Sequence, residues 1–369
     1  MRQKACQSWI SLLSKEDWGM GSVEFQNFLD GDSIDVLIVT TAHHAQDGRL
    51  IRHQNSLQRN GLNSEILTVV CESRLKRFLF GPIRAYRAVK VINPQCVLLP
   101  DPELHLFLAP LLSRSCAVIS DVHEDYLSVL EDRKWINNSL KPLIKILLKI
   151  VPKIRDKFSD QVVVASHALR QSSEVVVENI PHIDDLERGE TRARMRAVYV
   201  GDIGSSRGME RMLTLLNEIP NLSLDLVGPC KEQDRLMRLI QDNKLQDRVI
   251  WHDRLAYSES WKVADRCSVG LCLLESTPAY EKAIPSKVWE YWALGLPVVV
   301  SELYELSTLV RKVDAGFVLG ASKSFDELGV WLANDEELHE SGKRGEAFFK
   351  RKSSENMNKL SDVVSCLIG

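Results

Sequence analysis

Short, almost wholly apolar runs recur along this chain, each separated from the next by a stretch of helical character. The first series is 34–40, 64–70, Cys96–Leu99, 116–119 and 161–165. Between them lie helical stretches at about 50–60, 82–92 and 142–158, the first stopped by Gly61 and the second by Asn93-Pro94. A run apolar along its whole length suits a strand covered on both faces. Strands alternating with helices imply βαβ units and a parallel sheet.

The pattern breaks at 184–196, a polar stretch holding Asp184, Asp185, Glu187, Arg188 and Glu190, and then restarts. Strand-like runs follow at 197–200, 222–227, Val249–Trp251, 269–274 and 297–301, with helices predicted over 209–217, 235–243 and 286–294. The remainder is charged and helical. A length of 369 residues fits two ordinary α/β domains. The division expected is an extension over 1–33 without assigned chemistry, a Rossmann-like domain over 34–183, a linker over 184–196, a second Rossmann-like domain over 197–345 and a helical tail over 346–369.

Composition excludes some classes. With 47 Lys and Arg against 50 Asp and Glu, the net charge is -3, unlike a dedicated nucleic-acid binder. Cys96, Cys267 and Cys272 lie in apolar runs and no CxxC pair occurs, as for small buried hydrophobes in a reducing compartment. No apolar run approaches the roughly 20 residues that span a bilayer, and Lys15, Glu16 and Asp17 close the weakly apolar start too early for a secretory signal. A cytoplasmic location is expected.

In open α/β sheets, ligands bind beyond the carboxyl ends of the strands. Three polar clusters follow strands in the first half: Thr41-Ala-His43-His44-Ala-Gln-Asp47-Gly-Arg49, Asp101-Pro-Glu103-Leu and Asp121-Val-His123-Glu124-Asp125-Tyr126. Their shared position points to one ligand site. Their spacing lacks the four-residue helical repeat of a metal pair, so no metal is expected. In the second half, Gly201-Asp-Ile-Gly-Ser-Ser-Arg207-Gly208 is a glycine-rich strand-to-helix turn suited to an anion. Further on, Pro285-Ser286 marks a helix start whose unpaired N–H groups sit at the positive end of the helix dipole. Lys287 and Glu290 follow on that helix, with Glu290 placed to accept both hydroxyls of a ribose. An ordinary surface Lys287–Glu290 pair is the plainer alternative.

These elements resemble the GT-B fold glycosyltransferases of family 4, most closely the bacterial branch that builds capsular, exopolysaccharide and lipopolysaccharide sugars. The elements that match are Asp47 and Arg49 after the first strand, Asp101–Leu104, Asp121–Tyr126, Asn179-x-Pro181, the loop Gly201–Gly208 and the helix Pro285–Pro297. They run in order over about residues 34–320. The resemblance implies two doubly wound domains facing each other across a cleft, and transfer of a sugar from a nucleotide diphosphate-sugar with retained configuration and no metal or cofactor. Gly201, Arg207, Gly208, Ser286, Lys287 and Glu290 would then bind the donor. Asp47, Arg49, Asp101, Glu103, His123, Glu124 and Asp125 would line the acceptor side, with a glycan or lipid-linked glycan as acceptor. His123, Arg207 and Lys287 would carry catalysis, the two cations by stabilising the leaving diphosphate.

Three positions depart from the family pattern: Asp202 stands where a basic residue is common, Lys282 where an acid is expected, and Pro100 where a His is common. Asp202 and Lys282 favour a catalytically silent GT-B-like binding subunit, and nucleotide-sugar epimerisation on the same fold is a closer alternative. A last feature lies outside the motifs. Lys141, Lys145, Lys149, Lys153 and Lys157 recur every fourth position among aliphatic residues, and Arg74, Lys76, Arg77, Arg84, Arg87 and Lys90 form a second basic cluster. This pattern fits either an anionic membrane surface as partner, at the inner face of the cytoplasmic membrane, or a helix packed on its sheet with solvated lysines, with Pro152 placed to divide it.

Overall fold

A computed structural model of the chain describes residues 23–25, 33–43, 47–132, 136, 139, 141–181, 192–320 and 324–369. The chain divides into two compact units, Met1–Asn179 with Asn356–Gly369, and Ile180–Glu355. Most of the expected extension, residues 182–183 and residues 184–191 of the expected linker lie outside the described residues.

The first unit holds a seven-stranded sheet. Its strands are β1 (Val23–Phe25), β2 (Val36–Thr40), β3 (Ser64–Val69), β4 (Cys96–Leu99), β5 (Ala117–Val122), β6 (Gln161–Val164) and β7 (Val175–Val176), in the order β1-β3-β2-β4-β5-β6-β7. All pairs are parallel except β1 with β3. Alternation along β2 explains its apolar run: Leu37 and Val39 enter the core on one face, Val36 and Ile38 the core on the other. Asp47 starts the helix Gly48–Arg59 by accepting from the N–H groups of Arg49 and Leu50. Ser73 caps Arg74–Ile92 in the same way, and Asn93 ends it in the left-handed conformation.

The second unit holds a six-stranded parallel sheet of β8 (Arg196–Val200), β9 (Ser223–Val227), β10 (Val249–Trp251), β11 (Val269–Cys272), β12 (Val298–Ser301) and β13 (Gly316–Leu319), in the order β10-β9-β8-β11-β12-β13. In both sheets the order reverses beside the first parallel strand, at β2/β4 and at β8/β11. Crevices at such reversals are where ligands bind in this class.

Several expectations need correction. Val23–Phe25, assigned to an extension, pairs along the edge of the first sheet. The predicted tail is two helices, Asp335–Met357 and Lys359–Ile368, and the second belongs to the first unit. Its Leu360 and Val364 are fully buried with Val36, Ile38, Leu50 and Leu57. The helix expected from 82 begins at Arg74, with Pro82 inside it. Lys141–Phe158 is one helix, undivided by Pro152. Finally, β5 runs to Val122, so Asp121 lies within the strand and not in the loop after it.

Candidate functional site

The helix Ser286–Ala293 is fixed by its aromatic side chains, which face the core and not a ligand. The Tyr291 hydroxyl donates to the Val198 carbonyl and accepts from the Val200 N–H at 3.0 Å. The Trp292 indole donates to the Ala315 carbonyl at 3.0 Å, and Trp289 stacks on Phe348. Glycines make room for them. A Cβ at Gly270 would come within 2.4 Å of the Tyr291 ring, and one at Gly345 within 2.4 Å of Trp292. These aromatic side chains hold the helix, and with it the polar side chains it carries, in place.

The polar side chains of this helix converge with the loop after β8. Ser286 is its first residue, with Pro285 before it, and the N–H groups there have no intrahelical partner. The Lys287 ammonium sits 3.6 Å over the Tyr199 ring, and a Cβ at Gly201 would stand 3.0 Å from it. Burial pushes its pKa down to about 8, Arg207 pushes the same way, and Cys272 and Glu290 oppose the shift. Arg207 lies over the Tyr280 ring at 5.2 Å. Among the described residues, neither cation has a carboxylate in salt-bridge contact. Glu290 is buried, and its Oε1 accepts from the Tyr257 hydroxyl at 2.9 Å.

The glycine turn is built differently from the expectation of an open anion cradle. Gly208, at φ 83°, starts the helix Met209–Glu218 so close to Leu273 that a Cβ would stand 1.8 Å from its carbonyl oxygen. The Ser205 N–H and hydroxyl are both taken by Glu232, at 3.1 and 2.9 Å. Ser205 is thereby taken away from an anion, while Lys287, Arg207 and the helix start at Ser286 are not. The Asp202 side chain is exposed, and its carbonyl accepts from the Tyr199 hydroxyl at 2.8 Å. Glu281 caps the N–H of Tyr304 and accepts from the Ser276 hydroxyl, so it does not stand in for an acid at 282.

In the first unit, the carboxyl ends of β2, β4 and β5 bring together a second cluster. Oδ2 of Asp101 accepts from the Thr40 hydroxyl and from the N–H groups of Thr41 and Ala42, at 2.7 to 3.1 Å. Glu103 accepts from the Thr41 hydroxyl at 3.0 Å and pairs with Arg77 at 3.0 Å; burial and the nearby Asp101 charge raise its pKa. His43 lies between Asp47, at 3.0 Å, and Asp101, at 3.4 Å. Burial opposes protonation of His43, but these carboxylates outweigh it and raise its pKa. Asp47, against the effect of burial, is held down to about 2 by His43 and by the two N–H groups it caps.

His123 follows β5 with its ring edge-on to His43, centroids 5.1 Å apart, and to Tyr126. Burial lowers its pKa, and its Nδ1 has no hydrogen-bond partner among the described residues. Two other candidates turn out differently. Arg49 does not face a ligand: it is buried, forms a bidentate pair with Asp121 at 2.8 and 2.5 Å, and reaches the Val177 carbonyl. Asp125 caps the N–H groups of Leu127 and Ser128, while Glu124 beside it is exposed. Thr41 and His43 belong to the polar cluster expected after the first strand, whereas Thr40 and Arg77, and Tyr199, Tyr257 and Tyr280 in the second unit, were not assigned to a site. No group of His, Cys, Asp and Glu suited to a metal ion occurs among the described residues.

Residues 188–346 match the family Glycosyl transferases group 1, a match confined to the second unit and covering less than half of the chain. A glycosyltransferase domain therefore occupies that unit. Among solved structures, the chain is similar to sucrose-phosphate synthase from Thermosynechococcus elongatus, at TM-score 0.71 and 14% identity over 90% of this chain and 98% of that one. It is similar to Anabaena HepE in complex with UDP, at TM-score 0.69 and 12% identity over 90% and 100%. WaaG, a glycosyltransferase involved in lipopolysaccharide biosynthesis, matches at TM-score 0.60 and 12% identity over 90% and 100%. The fold is GT-B. Comparison with curated proteins finds no match. Within a GT-B glycosyltransferase domain, the Lys287 and Arg207 corner lies at the sheet reversal of the second unit, between the loop after β8 and the helix before β12.

Proposed function

We propose that the protein transfers a sugar from a nucleotide diphosphate-sugar, bound by the second unit, to a glycan or lipid-linked glycan in surface polysaccharide synthesis. One observation carries this reading. Lys287 at the start of a helix has Arg207 close enough to disfavour its charge, and among the described residues no carboxylate is in salt-bridge contact with either. That arrangement is costly until an anion arrives. A diphosphate supplies the anion, and HepE binding UDP on the same fold supports a nucleoside diphosphate in this role. Glu290, oriented by Tyr257, would accept the ribose hydroxyls.

Chemistry follows from the same charges. As the bond from the sugar to the diphosphate breaks, negative charge grows on the leaving oxygen. Two preorganised cations and a helix dipole stabilise that charge, usually the largest catalytic contribution. The leaving phosphate takes the acceptor proton, so retention needs no protein nucleophile and no metal. The acceptor is assigned to the His43, Asp101, Glu103 and His123 cluster, whose many carboxylates favour a polyhydroxylated ligand over an anionic one. A lipid-linked acceptor would bring the chain to the cytoplasmic face of a membrane. The exposure of the Asp202 and Lys282 side chains supports transfer over a silent subunit.

Thermal-shift titration with nucleoside diphosphates and their sugars tests the donor assignment, since binding raises the melting temperature with concentration. At least one nucleoside diphosphate is expected to stabilise the chain, and its sugar conjugate to be slowly hydrolysed. If none does either, the donor reading fails.

A further inference from the structure

One helical layer of the first unit carries an outer surface that packing on its sheet does not explain. The helices Arg74–Ile92, Pro102–Phe107, Ala109–Leu112 and Lys141–Phe158 lie together, Pro102–Phe107 packing against both of the long ones. The inward sides supply Ala85, Ala88, Val89, Leu104 and Leu112 to the core. Of the seventeen large hydrophobic side chains exposed among the described residues, ten lie on the outward sides of these four helices.

They form two stripes. Leu75, Leu79 and Ile83, spaced by four, are 70%, 52% and 48% exposed. Leu143, Ile146 and Ile150 form the second stripe, and the Phe78 ring meets Phe107 edge-to-face at 5.2 Å between the helices. On Lys141–Phe158 the fully buried positions are Val151 and Arg155, so the sheet does not account for the outward aliphatics. Lys145, Lys149 and Lys153, also spaced by four, run alongside that stripe. The two long helices together carry twelve Lys and Arg, of which Arg155 is buried and Arg77 pairs with Glu103, and one acidic residue, Asp156, in a chain of net charge -3.

We infer that this layer is a docking surface for an anionic lipid bilayer, with the aliphatic stripes entering the interface and the exposed basic side chains, Lys149 and Lys153 among them, meeting lipid phosphates. The two kinds of side chain select the occupant. A second copy would set two strongly basic faces against each other. A nucleic acid would match the charge but leave Leu75, Leu79 and Ile83 in water. A bilayer surface takes both, since apolar side chains partition below the headgroups while each basic group near an anionic leaflet contributes about 1 kcal/mol. The purpose of the surface, meeting a lipid-linked acceptor, rests on the reading above, but its binding does not.

Vesicle flotation without nucleotide tests it, using phosphatidylcholine vesicles with and without phosphatidylglycerol. The chain is expected to float with the anionic vesicles at low salt and to be largely released at high salt. Lys149→Ala and Lys153→Ala should each weaken partitioning about fivefold. Leu79→Glu with Ile83→Glu should abolish the fraction that persists at high salt. All four positions are on the outer surface, and unchanged melting temperatures would show the variants folded. Equal recovery in the supernatant with both vesicles at low salt would overturn the proposal. So would variants that partition like the wild type, or lipid-free self-association that Leu79→Glu with Ile83→Glu removes.

Discussion

A lysine that burial holds near pH 8 titrates where an ordinary lysine would not. A bound diphosphate favours the ammonium, so the complex keeps its proton to higher pH than the free protein. Nucleoside diphosphate affinity is therefore expected to be level from pH 7 to about 8 and to fall above it, by up to about tenfold per pH unit. Calorimetric titration across that range checks the slope, and Lys287→Met should flatten it. A slope unchanged in Lys287→Met would place the titration elsewhere. Arg207→Ala and Lys287→Ala should each lower transfer about 10²–10³-fold, and near-normal turnover in both would mean the leaving group departs elsewhere. Tyr257→Phe removes the hydroxyl that orients Glu290. It should erode the preference for a ribose over a 2′-deoxyribose diphosphate, and a full preference retained in this variant would make Tyr257 a bystander. Glu290→Gln should weaken nucleotide binding roughly ten- to hundredfold, through loss of charge-assisted hydrogen bonds of about 1.5–3 kcal/mol. Ser286, Lys287 and Glu290 were legible in the sequence because one helical turn holds all three. The partner of Arg49 was not, because Asp121 is 72 positions away and only the strand pairing brings it near. Glu232, which occupies the Ser205 N–H, was hidden for the same reason.

At the scale of elements, the helix that carries Lys287 is placed by two glycines outside it. Gly345→Ala would drive a methyl into Trp292, and Gly270→Ala would drive one into Tyr291. Overpacking of this kind costs about 1–3 kcal/mol. Each variant should unfold at lower urea concentration and also bind nucleotide more weakly, because the helix must shift to relieve the clash. Loss of stability with unchanged nucleotide affinity would show that the helix position does not control the site. The long apolar strands were readable because burial on both faces demands apolar side chains throughout. Val175–Val176 was too short to show a period, whereas Gly316–Leu319 went unread although it is longer than Val249–Trp251, which was read. Arg74–Ile92 was read from 82 because Pro82 suits a helix start, yet Ser73 caps the helix two turns earlier.

Across the whole molecule, the histidines that burial keeps neutral lie in the unit Met1–Asn179 with Asn356–Gly369. Burial lowers the pKa of His53, His105 and His123, and that of His105 falls from 6.5 to about 4. Below pH 6.5 the unfolded chain takes up protons that the folded unit refuses. Stability therefore falls as the pH drops from about 6.5 towards 4, by about 2 kcal/mol at pH 5 from His105 alone. Urea unfolding at pH 7 and pH 5 checks this, and His105→Gln should reduce the difference; an equal difference in that variant would exonerate His105. Leu360→Ala should cost the same unit about 2–5 kcal/mol as a buried large-to-small change, which a loss below 0.5 kcal/mol would contradict. That last helix could not be placed from sequence, since a helix with one apolar face does not say which sheet it covers. Its position has a consequence for synthesis. The core around Val36 and Ile38 stays open until Leu360 and Val364 have been translated, after the whole of Ile180–Glu355. On the ribosome, the half of the protein made first is therefore the half that finishes folding last.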